Sequence, residues 1–263
     1  STVTTPINIC QGTTATALTA TAPKATDTLL WYTMASGGTP SLSAPTPSTS
    51  TTSSTTYYVS AKSNIGCEGN RASIIVNINP TPATPTTTTT IAYCQGETAS
   101  ALSATGTNLK WYTTASGGTA LATAPTPSTT ADGTTNYYVS QSNATSIGGC
   151  ESAREMITVT VNPLPTAPTV TSSISYCQGE TASSLSATGT SLKWYTTASG
   201  GTASTTAPTP STATATSTTY YVSQTSSATA GGCEGTRSSI VVTVNPLPTA
   251  PTVTSSVSNC QGA

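Results

Sequence analysis

The sequence predicts an all-β chain of tandem immunoglobulin-like β-sandwich domains, about seven strands each, with one disulfide per domain. Three observations predict it. A Cys-Gln-Gly motif recurs at almost constant spacing, apolar residues alternate with period two between turn signals, and each recurrence carries a Trp and a second Cys at the same places.

The recurrence sets the organisation. Cys10-Gln11-Gly12 returns at Cys94, Cys177 and Cys260, spaced 84, 83 and 83 residues apart. Trp31-Tyr32-Thr33 returns at Trp111 and Trp194, and Tyr57-Tyr58-Val59-Ser60 at Tyr137 and Tyr220. Asn-Pro-x-Pro-x-x-Pro closes each unit, at Asn79–Pro85, Asn162–Pro168 and Asn245–Pro251. Its fixed φ angles and missing N–H donors end a strand and leave a short, semi-rigid linker. The units are residues 1–80, 81–163 and 164–246, with 247–263 expected to supply the first strand of a further repeat in a longer array.

Within the third unit, Val170, Ser172, Ile174 and Tyr176 share one face of an extended run. Leu192 and Trp194, Tyr220 and Val222, and Ile240, Val242 and Val244 do the same. Gly179-Glu180, Thr188-Gly189, Ser199-Gly200-Gly201 and Gly231-Gly232 break these runs, and no stretch carries an apolar stripe of helical period. Trp31, Trp111 and Trp194 are the expected core anchors.

Small domains bury a limited share of their surface and often need a covalent staple. Pairing Cys10 with Cys67, Cys94 with Cys150 and Cys177 with Cys233 would close a similar loop in every unit, worth about 4 kcal/mol each by loop-closure entropy. The competing pairing, Cys67 with Cys94 and Cys150 with Cys177, would bridge neighbours across the linker. Either reading places the chain in an oxidising compartment, because regularly placed cysteines with no His to complete a metal site read as disulfides.

Composition excludes several functions. The chain holds only 7 Lys and Arg against 8 Asp and Glu, so it has no basic patch for nucleic acid or anionic lipid. No apolar run reaches the roughly 20 residues that span a bilayer, and the opening Ser-Thr-Val-Thr-Thr-Pro is not a secretion signal. With no His, the many Ser and Thr hydroxyls lack the usual base, so neither an enzyme nor a cofactor is expected. Asp27 and Asp132 do not form a calcium loop, and no metal site is expected.

The remaining candidates are modest. Glu97 and Glu180 follow Cys-Gln-Gly, and Glu68, Glu151 and Glu234 follow the second Cys; a carboxylate pair near the disulfide could act as acid and base. Glu68 also stands three residues before Arg71, as Glu151 does before Arg154 and Glu234 before Arg237, the spacing of a surface ion pair at a hairpin. Tyr32, Tyr112 and Tyr195, on the face opposite the Trp, are candidate glycan contacts. Asp27-Thr28-Leu29 fits an O-glycosylation pattern at Thr28, and Asn143-Ala144-Thr145 fits the N-linked sequon.

Tyr176-Cys-Gln-Gly-Glu-Thr-Ala, Leu192-Lys-Trp-Tyr-Thr, Thr219-Tyr-Tyr-Val-Ser-Gln, Gly232-Cys-Glu and Val242-Thr-Val-Asn-Pro together resemble the Ig-like repeats of giant surface adhesins in gliding Bacteroidetes. The resemblance spans essentially the whole chain. It implies export by type IX secretion, attachment at the outer membrane, and outer-membrane secretion and motility machinery engaged through other parts of the parent protein. Repeat 1 departs from the pattern, with Thr13 in place of Glu and extra residues before Trp31.

The expected function is a stalk or thread whose partners are its own neighbouring repeats, giving reach and surface attachment. Two alternatives stay open: multivalent binding of surface polysaccharide, and a filament built by strand exchange, with Pro251–Asn259 as donor strand.

Overall fold

The computed structural model describes residues 1–144, 148–228 and 231–253. Cys260 and the expected donor strand's last residues, like Thr145 of the sequon, lie outside the described residues.

The chain is all-β, built of tandem Ig-like domains with their sheets in a sandwich-like arrangement. Repeat 1 forms one four-stranded sheet from β1 (Ile7–Cys10), β2 (Thr28–Tyr32), β3 (Ser53–Lys62) and β4 (Ala72–Asn79), in the order β1-β4-β3-β2. Repeat 2 adds β5 (Thr86–Thr87), β6 (Thr90–Cys94), β7 (Ala104–Thr105), β8 (Lys110–Tyr112), β9 (Gly133–Ser140) and β10 (Glu155–Asn162). Repeat 3 continues with β11 (Thr169–Val170), β12 (Ser173–Cys177), β13 (Ala187–Thr188), β14 (Leu192–Tyr195), β15 (Ser217–Gln224) and β16 (Ser238–Asn245). Each later repeat thus pairs a four-stranded sheet with a two-stranded one, β5-β7 or β11-β13. Repeat 1 has only the isolated Thr2–Thr21 bridge at that place.

Alternation explains the last strand of each repeat. Along β4, Ile74, Val76 and Ile78 are buried while the residues between them are not, and Ile240, Val242 and Val244 repeat this in β16. A pleat that buries one face selects this spacing and fixes register, since a slip of one residue would turn every Ile and Val outward. In repeat 1 all three pack with Leu18, Trp31 and Val59, and in repeat 3 Ile240 and Val242 pack with Leu185, Trp194 and Val222.

Strand pairing fixes where the cysteines stand. β1 runs parallel to β4, with Cys10 opposite Asn79, and β12 runs parallel to β16, with Cys177 opposite Asn245. The first Cys therefore stands at the end of its sandwich where the linker leaves. The second Cys lies in the hairpin between β3 and β4, or between β15 and β16, at the other end.

The chain gathers into two compact units that do not follow the repeats. The first comprises Ser1–Ile91, Ala99–Pro127 and Thr134–Val159; the second comprises Ala92–Thr98, Ser128–Gly133 and Thr160 onward. The linker end of repeat 2, with Cys94, thus belongs to the same unit as repeat 3.

Candidate functional site: the repeat junctions

The structure overturns the expected disulfides. Cys10 is bonded to Cys150 and Cys94 to Cys233, with Cα–Cα distances of 5.5 and 5.6 Å. The first Cys of repeats 1 and 2 thus joins the second Cys of the repeat that follows, while Cys67 and Cys177 are exposed thiols. Neither one disulfide within each domain nor the Cys67–Cys94 and Cys150–Cys177 alternative is present.

Strand geometry gives the reason. β4 covers eight residues from Ala72 to Asn79. At about 3.3 Å per residue its ends stand roughly 23 Å apart, whereas a disulfide needs Cα atoms within about 7 Å. Cys10 sits at one end of this strand and Cys67 beyond the other, so they cannot meet. A cysteine at the linker end can reach only the hairpin that the next repeat brings against that linker.

Other contacts support each junction. In the first unit, Asn143 Nδ2 donates to the Pro80 carbonyl at 2.6 Å and Gln141 Nε2 to that of Ala83 at 2.8 Å. In the second, Gln224 Nε2 donates to the Thr166 carbonyl at 2.7 Å and Ser238 Oγ to that of Pro168 at 2.5 Å. The linkers are therefore held by the repeat that follows them. Gly148 and Gly231 take φ of 97° and 83°, and a Cβ on either would run into Asn79 or Asn162, the last strand residue of the preceding repeat.

Cys-Gln-Gly is a structural turn. Gly12, Gly96 and Gly179 turn the chain at φ near 80°. The Gln11, Gln95 and Gln178 amides donate to the carbonyls of Ser50, Thr130 and Ala213, each at 3.0 Å. Glu97 and Glu180 accept from the N–H of their own Cys, at 2.8 and 2.7 Å. In repeat 1, the Thr13 hydroxyl donates to the Cys10 carbonyl at 2.7 Å instead. In repeat 3, Glu180 stands at the linker end and Glu234 in the hairpin, so the structure does not bring them together as an acid/base pair.

The second set of glutamates builds a polar cluster on the outer sheet face. Glu151 Oε1 accepts from Tyr112 at 2.8 Å and Ser140 at 2.5 Å, and its Oε2 faces Lys110 Nζ at 2.9 Å. Glu234 does the same with Tyr195, Ser223 and Lys193. In repeat 1 Leu30 stands in the Lys position, and Glu68 accepts from Tyr32 and Ser60.

Among the described residues the arginines form no salt bridge with these glutamates, contrary to the i, i+3 expectation. The guanidinium carbons of Arg71, Arg154 and Arg237 stand over the rings of Tyr32, Tyr112 and Tyr195, 3.2 to 3.3 Å from the centroids. Each also donates to a backbone carbonyl of the turn after the Tyr strand, that of Met34, Thr114 or Thr197.

This corrects the glycan reading of Tyr32, Tyr112 and Tyr195. Their rings are 5 to 6% exposed, the hydroxyl is bonded to Glu and a face is covered by guanidinium. Thr28, the O-glycosylation candidate, is exposed at the start of β2, and Asn143 already spends its amide on the linker. Trp31, Trp111 and Trp194 are 4 to 5% exposed, the first and last within the core clusters.

Burial alone would raise Glu151, but the hydrogen bonds from Ser140, Lys110 and Tyr112 outweigh it and hold the carboxyl below its ordinary value of 4.5; Glu234 is lowered by the same balance. A carboxyl lowered on folding stabilises above its unfolded pKa and loses that contribution as pH falls through the folded value. Repeats 2 and 3 are thus expected to weaken below about pH 4.5. Acid titration of near-ultraviolet circular dichroism should show this, and Glu151→Gln with Glu234→Gln should flatten the acid limb. An unchanged limb would contradict the assignment.

The family described as Ig-like domain, CHU_C associated, matches residues 1–80, 82–163 and 165–246, three consecutive copies covering almost all of the sequence. The chain belongs to this family. None of the curated protein sequences matches it.

Among solved structures, the CHU_C-associated repeats are similar to the I67–I69 fragment of the titin I-band, at 12% identity and TM-score 0.38, covering 92% of this chain and 96% of that one. They are similar also to fibronectin(III)-like modules of Clostridium thermocellum CbhA, at 12% identity and TM-score 0.36, covering 60% and 90%. A third is Bacteroides ovatus SGBP-B in complex with a mixed-linkage heptasaccharide, at 15% identity and TM-score 0.21, covering 94% and 67%. Likeness at this level assigns no ligand.

Proposed function

We propose that this chain is a stalk segment of a secreted, cell-surface adhesin of the gliding type, exported by type IX secretion and held at the outer membrane, whose task is reach under load. The observation that carries the reading is the pair of disulfides joining each repeat to its neighbour. A spacer of independent beads gains little from such bonds, whereas a segment under tension gains a covalent path that bypasses most of its own chain. The bonds also fit an oxidising location outside the cytoplasm. Immunogold labelling of intact source cells tests the reading: label on the outer surface, and loss of surface attachment and gliding when the gene is deleted, are the expected results. Label that appears only after permeabilisation, or normal attachment without the gene, would refute it.

A further inference from the structure

Two side pockets of the same build open beside the core indoles of repeats 1 and 3. The cavity beside Trp31 measures about 350 Å³ and the one beside Trp194 about 330 Å³, at the lower end of the roughly 300–1,000 Å³ of small-molecule sites. Each lies where the chain folds back after its Trp-Tyr strand. Ser41 exchanges backbone hydrogen bonds with Trp31, both at 2.9 Å, and Ser204 with Trp194, at 2.8 and 2.9 Å. Further on, the Leu18 N–H donates to the Pro45 carbonyl and the Leu185 N–H to that of Pro208, each at 2.9 Å. Ser41 Oγ donates to the Ser43 carbonyl at 2.9 Å and accepts from the Ser43 N–H at 3.1 Å; Ser204 does the same with Thr206 at the same distances. The walls are thus fixed before any ligand arrives, which lowers the ordering cost of binding.

We infer that these two pockets are binding sites for single rings of a neutral saccharide. One wall is apolar, made of Trp31, Ala44 and Pro45 in repeat 1 and of Trp194, Ala207 and Pro208 in repeat 3. The other carries hydroxyls, those of Thr33, Thr39 and Ser41 or of Thr196, Thr202 and Ser204. No Asp, Glu, Lys or Arg lines either pocket, so nothing in them recognises a charged ligand. The hydroxyls of Thr33, Thr39, Thr196 and Thr202 make no hydrogen bond within the described residues, and each can donate once and accept twice. A sugar ring divides its surface in the same way, into apolar C–H faces and hydroxyl edges. An aliphatic side chain would suit the Trp-Ala-Pro wall but take the facing hydroxyls out of water with no partner, which is unfavourable. The site asks for no stacking on Tyr32 or Tyr195, whose rings stay under Arg71 and Arg237.

Repeat 2 supplies its own control. There Leu121 pairs with Trp111 at the register that Ser41 and Ser204 hold in the other repeats. It is 38% exposed, so most of its surface lies against the protein. Four carbons at this place take up the space that a serine leaves open and remove one hydroxyl from the wall. Repeat 2 is therefore expected not to bind, and its fold shows that Leu is accepted at this register. The inference concerns what the repeats hold, so it stands or falls separately from where the chain is displayed.

The test follows the three indole N–H resonances by nuclear magnetic resonance in the full chain with its disulfides intact. Cellohexaose, laminarihexaose, mannohexaose and xylohexaose are the probes, with N-acetyl-leucinamide as the aliphatic comparison. The expected result is a saturable shift of Trp31 and Trp194 with at least one saccharide while Trp111 stays in place. Ser41→Leu should abolish the Trp31 response and Ser204→Leu that of Trp194, each leaving the other repeat's response intact as proof of folding. Leu121→Ser should create a response at Trp111. No saturable shift with any of the four saccharides, equal shifts of all three indoles, or responses that survive the Ser→Leu changes would each overturn the inference. So would shifts produced by N-acetyl-leucinamide and by none of the saccharides, which would make the pockets sites for an apolar side chain.

Discussion

Stretched between Cys10 and Cys233 with its disulfides intact, the chain should extend to only roughly 200 Å even when all three repeats are unfolded. The covalent path crosses from Cys10 to Cys150, runs back to Cys94 and crosses to Cys233, so that about 56 residues bear the load at about 3.5 Å each. After reduction the same ends are separated by about 223 residues, and the limit rises to roughly 800 Å. Single-molecule force spectroscopy with handles outside these cysteines, before and after dithiothreitol, measures this directly. Pairing within the repeats would leave a path of nearly the same length, about 54 residues, so the experiment tests whether both cross-links are present and disulfide mapping decides the partners; an oxidised limit close to the reduced one would refute the interlock.

Replacing Trp194 by Ala should cost about 3–5 kcal/mol in repeat 3. The indole is 4% exposed and packs with Leu185, Val222, Ile240 and Val242. That loss is a large fraction of a small domain's stability and equals two or more orders of magnitude in amide protection. Hydrogen exchange should show β15 and β16 losing protection to that extent while β3 and β4 keep theirs. Equal loss in both pairs of strands would mean that the repeats unfold as one body rather than as linked domains.

Much of this architecture is legible in the sequence, and particular residues show where legibility ends. Ile74, Val76 and Ile78 announce a half-buried strand by spacing alone, and Trp31 precedes Tyr32 in a way that puts one ring inside and one outside. The fate of the outer ring is not legible. Glu68 and Arg71 are three apart, which suggests an ion pair, but strand pairing sets Glu68 opposite Lys62 and turns it toward Tyr32 and Ser60, leaving Arg71 for the ring. The disulfides were hidden for a different reason. Near-equal spacing of cysteines is compatible with pairing within repeats or between them, and the choice depends on β1 running parallel to β4. One clue was present in the sequence: Gly148 and Gly231 stand two residues before the hairpin cysteines that bond to the preceding repeat, where a Cβ would meet that repeat's last strand Asn.

The central claim is that each repeat is covalently joined to the next, and disulfide mapping of the unreduced protein tests it most directly. Digestion followed by mass spectrometry is expected to give one linked peptide pair holding Cys10 and Cys150 and another holding Cys94 and Cys233. A pair joining Cys94 to Cys150, or Cys10 to Cys67, would contradict the account.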